Sequence, residues 1–302
     1  MLLNKYKRLV VIGDSNADTG NVMRMTQGTH PEPSNVYVDG RYSNGRMWVD
    51  HLEQLSGCKG TINLAHGCAT ADNEIVSGTV PMPPDGIARK EVPSVVDQVQ
   101  QLKELMGQLL PTDLVFVQAG SNDINALIAD GPTYVIKRKF TPELIAQRIG
   151  EAVRQLCNVG ARTVVVMNVR PRDEYPGVIA LRDVQKLQAT RRDTLALNEL
   201  LAQEVAALQV ALGATGCRIA VFDTHGFQKR ITADLVAHGI DPELATPCFD
   251  ENRVLDAAGS NRILHPESKL FLDAAHLAKR GQRLLAAEVM KALSVLAMEE
   301  EE

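Results

Sequence analysis

No charge of either sign prevails in this 302-residue chain, where 37 acidic and 32 basic side chains leave a formal charge of −5. A mildly acidic protein has no broad positive field for a polyphosphate backbone, so nucleic acid is excluded as the expected partner. Long apolar runs are also missing. The first one, Leu9 to Ile12, is far shorter than the core of a secretion signal, and no later stretch approaches a membrane span. The expectation is therefore a cytoplasmic protein with no integral membrane segment. The cysteines number only five, with no C-x-x-C pair among Cys58, Cys68, Cys157, Cys217 and Cys248. Neither a disulfide framework nor a structural metal site is expected from that pattern, and unpaired thiols are the simpler reading. A chain of this length buries roughly 75% of its unfolded surface, so it needs neither device to hold a core. Internal repeats and long linkers are absent as well, which favours one domain over residues 1–302.

Short β-branched runs recur between helical patterns: Leu9 to Gly13, Thr61 to Ala65, Leu114 to Gln118, Thr163 to Met167 and Ile219 to Phe222. They are almost continuously apolar rather than alternating, as strands covered on both faces are. Between the last two, Leu181 to Leu212 carries Leu197, Leu200, Leu201, Val205, Leu208 and Leu212 at helical spacing before Gly213. Alternating strands and helices predict an α/β fold with an open parallel sheet sandwiched by helices. Proline- and glycine-rich loop insertions near 22–45 and 77–93 interrupt this pattern, and the chain closes on an acidic tail, 299–302. In such a sheet ligands collect at the carboxyl ends of the strands, so the residues just after each strand carry the functional information.

After the first strand comes Gly13-Asp14-Ser15-Asn16-Ala17-Asp18-Thr19-Gly20-Asn21. A serine at a strand-to-helix turn presents its hydroxyl and its own amide at the sheet edge, or else simply caps the helix. The segment is not G-x-S-x-G, because residue 17 is alanine. Glycine follows the second strand in Asn63-Leu64-Ala65-His66-Gly67, and an amide side chain follows the third in Gly120-Ser121-Asn122-Asp123. Near the end, Asp273-Ala274-Ala275-His276 sets a carboxylate three residues before an imidazole, neighbours if the segment is one helical turn. Serine, histidine, carboxylate and separate oxyanion donors make up the set needed for acyl transfer. His265-Pro266 imitates the last element, but Arg262 stands three residues before it, which leaves His276 as the expected base. His225, two residues after Asp223, lacks a third ligand and reads as capping rather than metal binding.

In their order and content these blocks resemble the GDSL, or SGNH, family of serine esterases and lipases. Gly40-Arg41-Tyr42-Ser43-Asn44-Gly45-Arg46 is similar to the branch of plant, fungal and bacterial GDSL lipases and acyltransferases, and Asn198 with Leu201 adds a further match. The resemblance implies a three-layer αβα sandwich on a five-stranded parallel sheet, the flavodoxin-like SGNH hydrolase fold. It implies Ser15 as nucleophile, His276 as general base and Asp273 as its orienting partner. The Ser15 and Gly67 amides and the Asn122 side chain become the oxyanion hole. Asp14, Asn16, His66 and Asn44 are candidates for the substrate pocket. No metal or cofactor is implied, and the partner is a small-molecule or lipid ester, cleaved through an acyl-serine. An acyltransferase using the same triad is the alternative, with a non-catalytic binding module third. The chain departs from the family pattern at Asn16, where leucine is usual, at Leu277 in place of proline, and at Ser121, Ile124, His66 and Cys68.

Overall fold

A computed structural model describes residues 5–32, 36–128, 131–243, 247–249 and 267–298. The acidic tail 299–302 and His265 lie outside the described residues. Five parallel strands form the main sheet: β1 (Arg8–Ile12), β2 (Thr61–Asn63), β5 (Asp113–Gln118), β7 (Thr163–Met167) and β8 (Arg218–Phe222). Their spatial order is β2-β1-β5-β7-β8, so the direction of winding reverses between β1 and β5. A doubly wound sheet opens a crevice at the carboxyl ends of the strands where that reversal occurs.

Alternate residues of each strand feed two separate cores, which is why the strands read as continuous apolar runs. Val10, Ile12, Val115, Val117, Val164 and Val166 pack against helices α3 (Val95–Met106), α5 (Pro142–Asn158) and α7 (Val184–Leu212). Leu9, Val11, Leu114, Phe116, Val165 and Met167 face α2 (Trp48–Ser56), α8 (Thr224–Ala233) and α9 (Lys279–Met298). The result is the expected three-layer αβα sandwich. Local signals place the helix starts: Ser94 with Asp97 forms a capping box on α3, Thr141 and Pro142 open α5, and the carboxylates of Asp183 and Asp223 cap α7 and α8. Asp223 is thus a cap, as read from the sequence.

Three expectations need correction. The segment 77–93 is not simply a loop, because β3 (Val76–Pro81) pairs antiparallel with β4 (Arg89–Glu91) and with β6 (Tyr134–Ile136) in a second, three-stranded sheet. Cys157, at the end of α5, and Cys217, just before β8, form a disulfide with their Cα atoms 6.1 Å apart, and among the described residues Cys58, Cys68 and Cys248 take no part in a disulfide. By length and composition α7 is also apolar enough to cross a membrane. It packs along α5 and β8 and buries Leu197, Leu201 and Val205, the stripe its helical spacing defines. Short helices α1 (Asn21–Met25), α4 (Ser121–Ala126) and α6 (Pro176–Ala180) lie in the loops at the carboxyl edge of the sheet.

Candidate active site

The turn after β1 is held from three sides. The Gln98 side chain clasps Gly13, accepting its N–H at 2.8 Å and donating to its carbonyl at 2.9 Å. Asp14, fully buried, accepts the amide of Asn16 at 2.9 Å and its side-chain N–H at 2.8 Å. The Trp48 indole N–H donates to the Asn16 carbonyl at 2.9 Å and stacks edge-on against Phe116. Ser15 sits at the apex of this turn, ahead of α1, which starts only at Asn21. Ser15 therefore does not act as the cap. The amides here are taken by Asp14 and by Asp18, which accepts from Gly20, Asn21 and Val22, while the Ser15 hydroxyl points elsewhere.

It points at His276. The Ser15 Oγ lies 2.8 Å from His276 Nε2, and His276 Nδ1 lies 2.7 Å from Asp273 Oδ2. Tyr37 donates its hydroxyl to the same Asp273 oxygen at 2.7 Å, and the amides of Ala275 and His276 donate to Oδ1 at 2.8 and 2.7 Å. Burial by itself would raise the Asp273 pKa, but the neighbouring imidazole and these donors outweigh it and hold the carboxyl down to about 2. An ionised carboxylate can only accept, so Nδ1 carries the imidazole hydrogen and Nε2 offers its lone pair to the serine hydroxyl. Asp273 and His276 do not share a helical turn. They sit on a tight turn closed by the antiparallel bridge Phe271 to Leu277 and by the Leu272 amide donating to the His276 carbonyl at 2.7 Å. The spacing of three brings them together through an Asx-type turn instead.

On the opposite wall the donors are mostly free. The Ser15 amide has no partner among the described residues. Asn122, in the first turn of α4, uses one side-chain N–H on the Ala69 carbonyl at 2.8 Å, leaving the second, while its oxygen accepts from Tyr134 at 2.6 Å. Gly120 precedes it with φ of 101°, a left-handed bend where a Cβ would strike Leu197. Gly67 differs from expectation. Its amide is donated to Asp18 Oδ2 at 2.9 Å, and the residue is a glycine because a Cβ there would collide with the Tyr42 hydroxyl.

Ser15, Asn16, Asn122 and His276 line one cavity of about 150 Å³, together with Tyr42, Cys68 and Arg172. The other suggested pocket residues serve the scaffold. Asp14 lies under the turn, the His66 ring is tied to the Leu64 carbonyl at 2.7 Å, and Asn44 accepts the Lys279 amide at the start of α9. Burial pushes the Cys68 thiol up to about 12, which makes it unreactive at neutral pH. Five residues escaped the sequence reading: Tyr37, Asn125, Tyr134, Arg170 and Arg172. The two arginines follow β7 directly, where the strand-end rule points. Arg170 reaches Asn16 Oδ1 at 2.6 Å and the Ala275 carbonyl at 3.2 Å, and Asn198 on α7 clamps both backbone polar groups of Val169 at 2.7 Å each.

Thermolabile hemolysin of Vibrio parahaemolyticus is 24% identical over 251 residues, 83% of this chain and 53% of the hemolysin, so the chain spans about half the length of that relative. A GDSL esterase/lipase of Arabidopsis thaliana is 24% identical over 321 residues, 96% of this chain and 89% of its own length. A phosphatidylcholine-sterol acyltransferase of Aeromonas hydrophila is 24% identical over 180 residues, 60% of this chain and 49% of the relative. Among solved structures, an acetyl-xylooligosaccharide esterase from Geobacillus Stearmophilus aligns over 96% of this chain and 95% of its own, at 12% identity and a TM-score of 0.45. The GDSL-like Lipase/Acylhydrolase family matches residues 9–289, from β1 through most of α9, and the chain belongs to that family.

Proposed function

We propose that the protein is a serine hydrolase of carboxylic esters. The observation that carries this reading is the unbroken line from Asp273 through His276 to Ser15, with Ser15 facing a cavity that holds unused N–H donors. Ser15 Oγ attacks the ester carbonyl carbon as its proton passes to His276 Nε2. The imidazolium that results is stabilised by Asp273, which stays ionised. Negative charge on the carbonyl oxygen is met by the Ser15 amide and the free Asn122 N–H. When the tetrahedral intermediate collapses, the alkoxide leaves with the proton from Nε2. The acyl-serine is then attacked by water, which His276 deprotonates in turn. Gly67 adds a third donor only if its amide leaves Asp18.

The acyltransferase relative gives the same intermediate a second fate, attack by an alcohol in place of water. The test is hydrolysis of a chromogenic acyl ester and covalent labelling by an organophosphonate, with and without an alcohol acceptor and with the products measured. Both reactions are expected to vanish in Ser15→Ala. Labelling retained at another serine overturns the reading, and an acyl-alcohol product in place of free acid makes the protein a transferase.

A further inference from the structure

Arg172 is the permanently charged side chain in the wall of the Ser15 cavity, yet it is only 4% exposed. Its neighbours in sequence are committed elsewhere, Asp173 towards Arg191 and Glu174 to Lys229, and among the described residues no carboxylate reaches Arg172. Among the described residues it uses one of its five N–H donors, on Asn125 Oδ1, and its buried Nε has no partner there. The guanidinium lies 3.8 Å from the centre of the Tyr175 ring, and that of Arg170 lies 4.7 Å from the same ring. Two buried cations thus lie over one aromatic ring, and among the described residues neither is held in an ion pair. Burial lowers the Arg170 pKa, the charge of Arg172 adds to that, and Tyr175, Asp14 and Asp273 oppose it. An unpaired buried cation is unfavourable until an anion reaches it.

Its position relates it to the chemistry. Asn125 stands one helical turn after Asn122 on α4, and a chain of hydrogen bonds joins them: Arg172 donates to Asn125, Asn125 to the Tyr134 hydroxyl at 3.3 Å, and Tyr134 to Asn122 at 2.6 Å. That places the guanidinium beside the residue one helical turn on from the candidate oxyanion donor. It also borders a second hollow of about 390 Å³, whose apolar lining includes Ile128, Val178, Leu181 and Ala274. We infer that Arg172 is an anion subsite, so that the preferred ester carries a carboxylate or phosphate a few atoms from the scissile bond, with an apolar remainder along the second hollow. This inference rests on the esterase reading above.

Two matched pairs test it and separate the sources of the charge. Mono-4-nitrophenyl glutarate against 4-nitrophenyl butyrate places a carboxylate on the acyl side, and 1-butyrylglycerol-3-phosphate against 1-butyrylglycerol places a phosphate on the alcohol side. In at least one pair the wild-type protein is expected to favour the anionic ester by about tenfold or more in kcat/KM, mainly through KM, with the preference shrinking as salt is added. Arg172→Gln should bring that ratio to within about threefold of unity, while Arg172→Lys keeps most of it. A ratio near one in both pairs for the wild type, or one unchanged in Arg172→Gln because both members fall together, overturns the inference and leaves Arg172 a structural residue. Should the wild type cleave none of the four esters, the esterase reading fails instead. The subsite is then measured alone, as the rise in Tm given by N-propylglutaramate or by glycerol 3-phosphate. A rise with either, lost in Arg172→Gln, sustains the subsite, and no rise with both refutes it.

Discussion

Two fully buried carboxylates flank the cleft and titrate at opposite ends of the scale, Asp273 at about 2 and Asp123 at about 7. Burial raises both. What separates them is the supply of donors and charge. Asp273 receives the Tyr37 hydroxyl, two backbone amides and the imidazole of His276. Asp123 shares the single amide of Ala71 between its oxygens at 3.2 and 3.1 Å, is helped by its own amide, and lies within the fields of Asp14 and Asp72. The wall that would hold and orient a base is saturated with hydrogen bonds, whereas the wall that would receive a substrate's charge keeps the Ser15 amide and one Asn122 N–H unused. Desolvation is common to both sides, so the difference in donors decides which charges the folded protein can carry.

The comparison breaks most visibly at Asp123. Its raised pKa means that the folded state holds a proton that the unfolded chain, titrating near 3.9, has given up, so stability falls as pH rises from about 4 to about 7 and then levels off. Asp273 has the opposite sign, and its contribution, complete above about 4, is lost as pH falls towards 2. Asp123→Asn keeps one oxygen for Ala71 and cannot ionise. It should flatten the decline and leave the protein up to about 4 kcal/mol more stable than the wild type above pH 7, a limit set by about three pKa units at 1.36 kcal/mol each. Urea unfolding across pH 4 to 8 measures this. Parallel curves for wild type and variant would mean that Asp123 is ionised throughout.

The open wall is tested next at Asn122. Removing its side chain takes away one of the two free donors, so Asn122→Ala should lower kcat on a chromogenic ester by about 10²–10³, or about 3 kcal/mol of transition-state stabilisation. Circular dichroism and Tm separate this from misfolding, since Tyr134 loses its acceptor as well. A loss below tenfold would shift the oxyanion role to Gly67, and hence require its amide to exchange Asp18 for substrate.

How much of this could be read from the sequence follows from the same contrast. The central strands β1, β5 and β7 were legible because they are buried on both faces and therefore almost continuously apolar, whereas the edge strands β2 and β8 are only partly buried. Ser15, Asn122 and His276 were legible because each follows a strand or a recognisable block. The small second sheet was not, since β4 and β6 are three residues long and largely exposed, and their pairing with β3 is set by tertiary contact. At Gly67 the sequence signal is ambiguous for a local reason. A glycine beside a strand end signals close approach, and only coordinates reveal that the approaching group is the Tyr42 ring. Tyr37 and Arg172 were missed because their roles depend on partners 236 and 47 residues away, Asp273 and Asn125. The disulfide escaped in the same manner, its cysteines being 60 residues apart and brought together only by the tertiary fold.

The finest test of the comparison uses two tyrosines, Tyr37 and Tyr42, equally buried at 5% exposure with rings 6.0 Å apart. Both lie in the segment before α2, and both come close to the line of Asp273, His276 and Ser15, but on different terms. The Tyr37 hydroxyl donates to an ionised carboxylate, whereas the Tyr42 hydroxyl is buried without a partner among the described residues and its ring lies 4.9 Å from that of His276. Tyr37→Phe removes a charge-assisted hydrogen bond, which should cost about 1.5 to 3 kcal/mol of stability and raise the Asp273 pKa, so the acid side of the stability profile moves up in pH. Tyr42→Phe removes a polar atom that had already lost its water, and should leave stability within about 0.5 kcal/mol of the wild type or slightly above it. Urea unfolding of the two variants at pH 7, repeated near pH 4, reads both quantities. Equal losses would mean that the Tyr42 hydroxyl has a partner in solution, the nearest available change being for Gly67 to turn its amide away from Asp18 and towards the cavity.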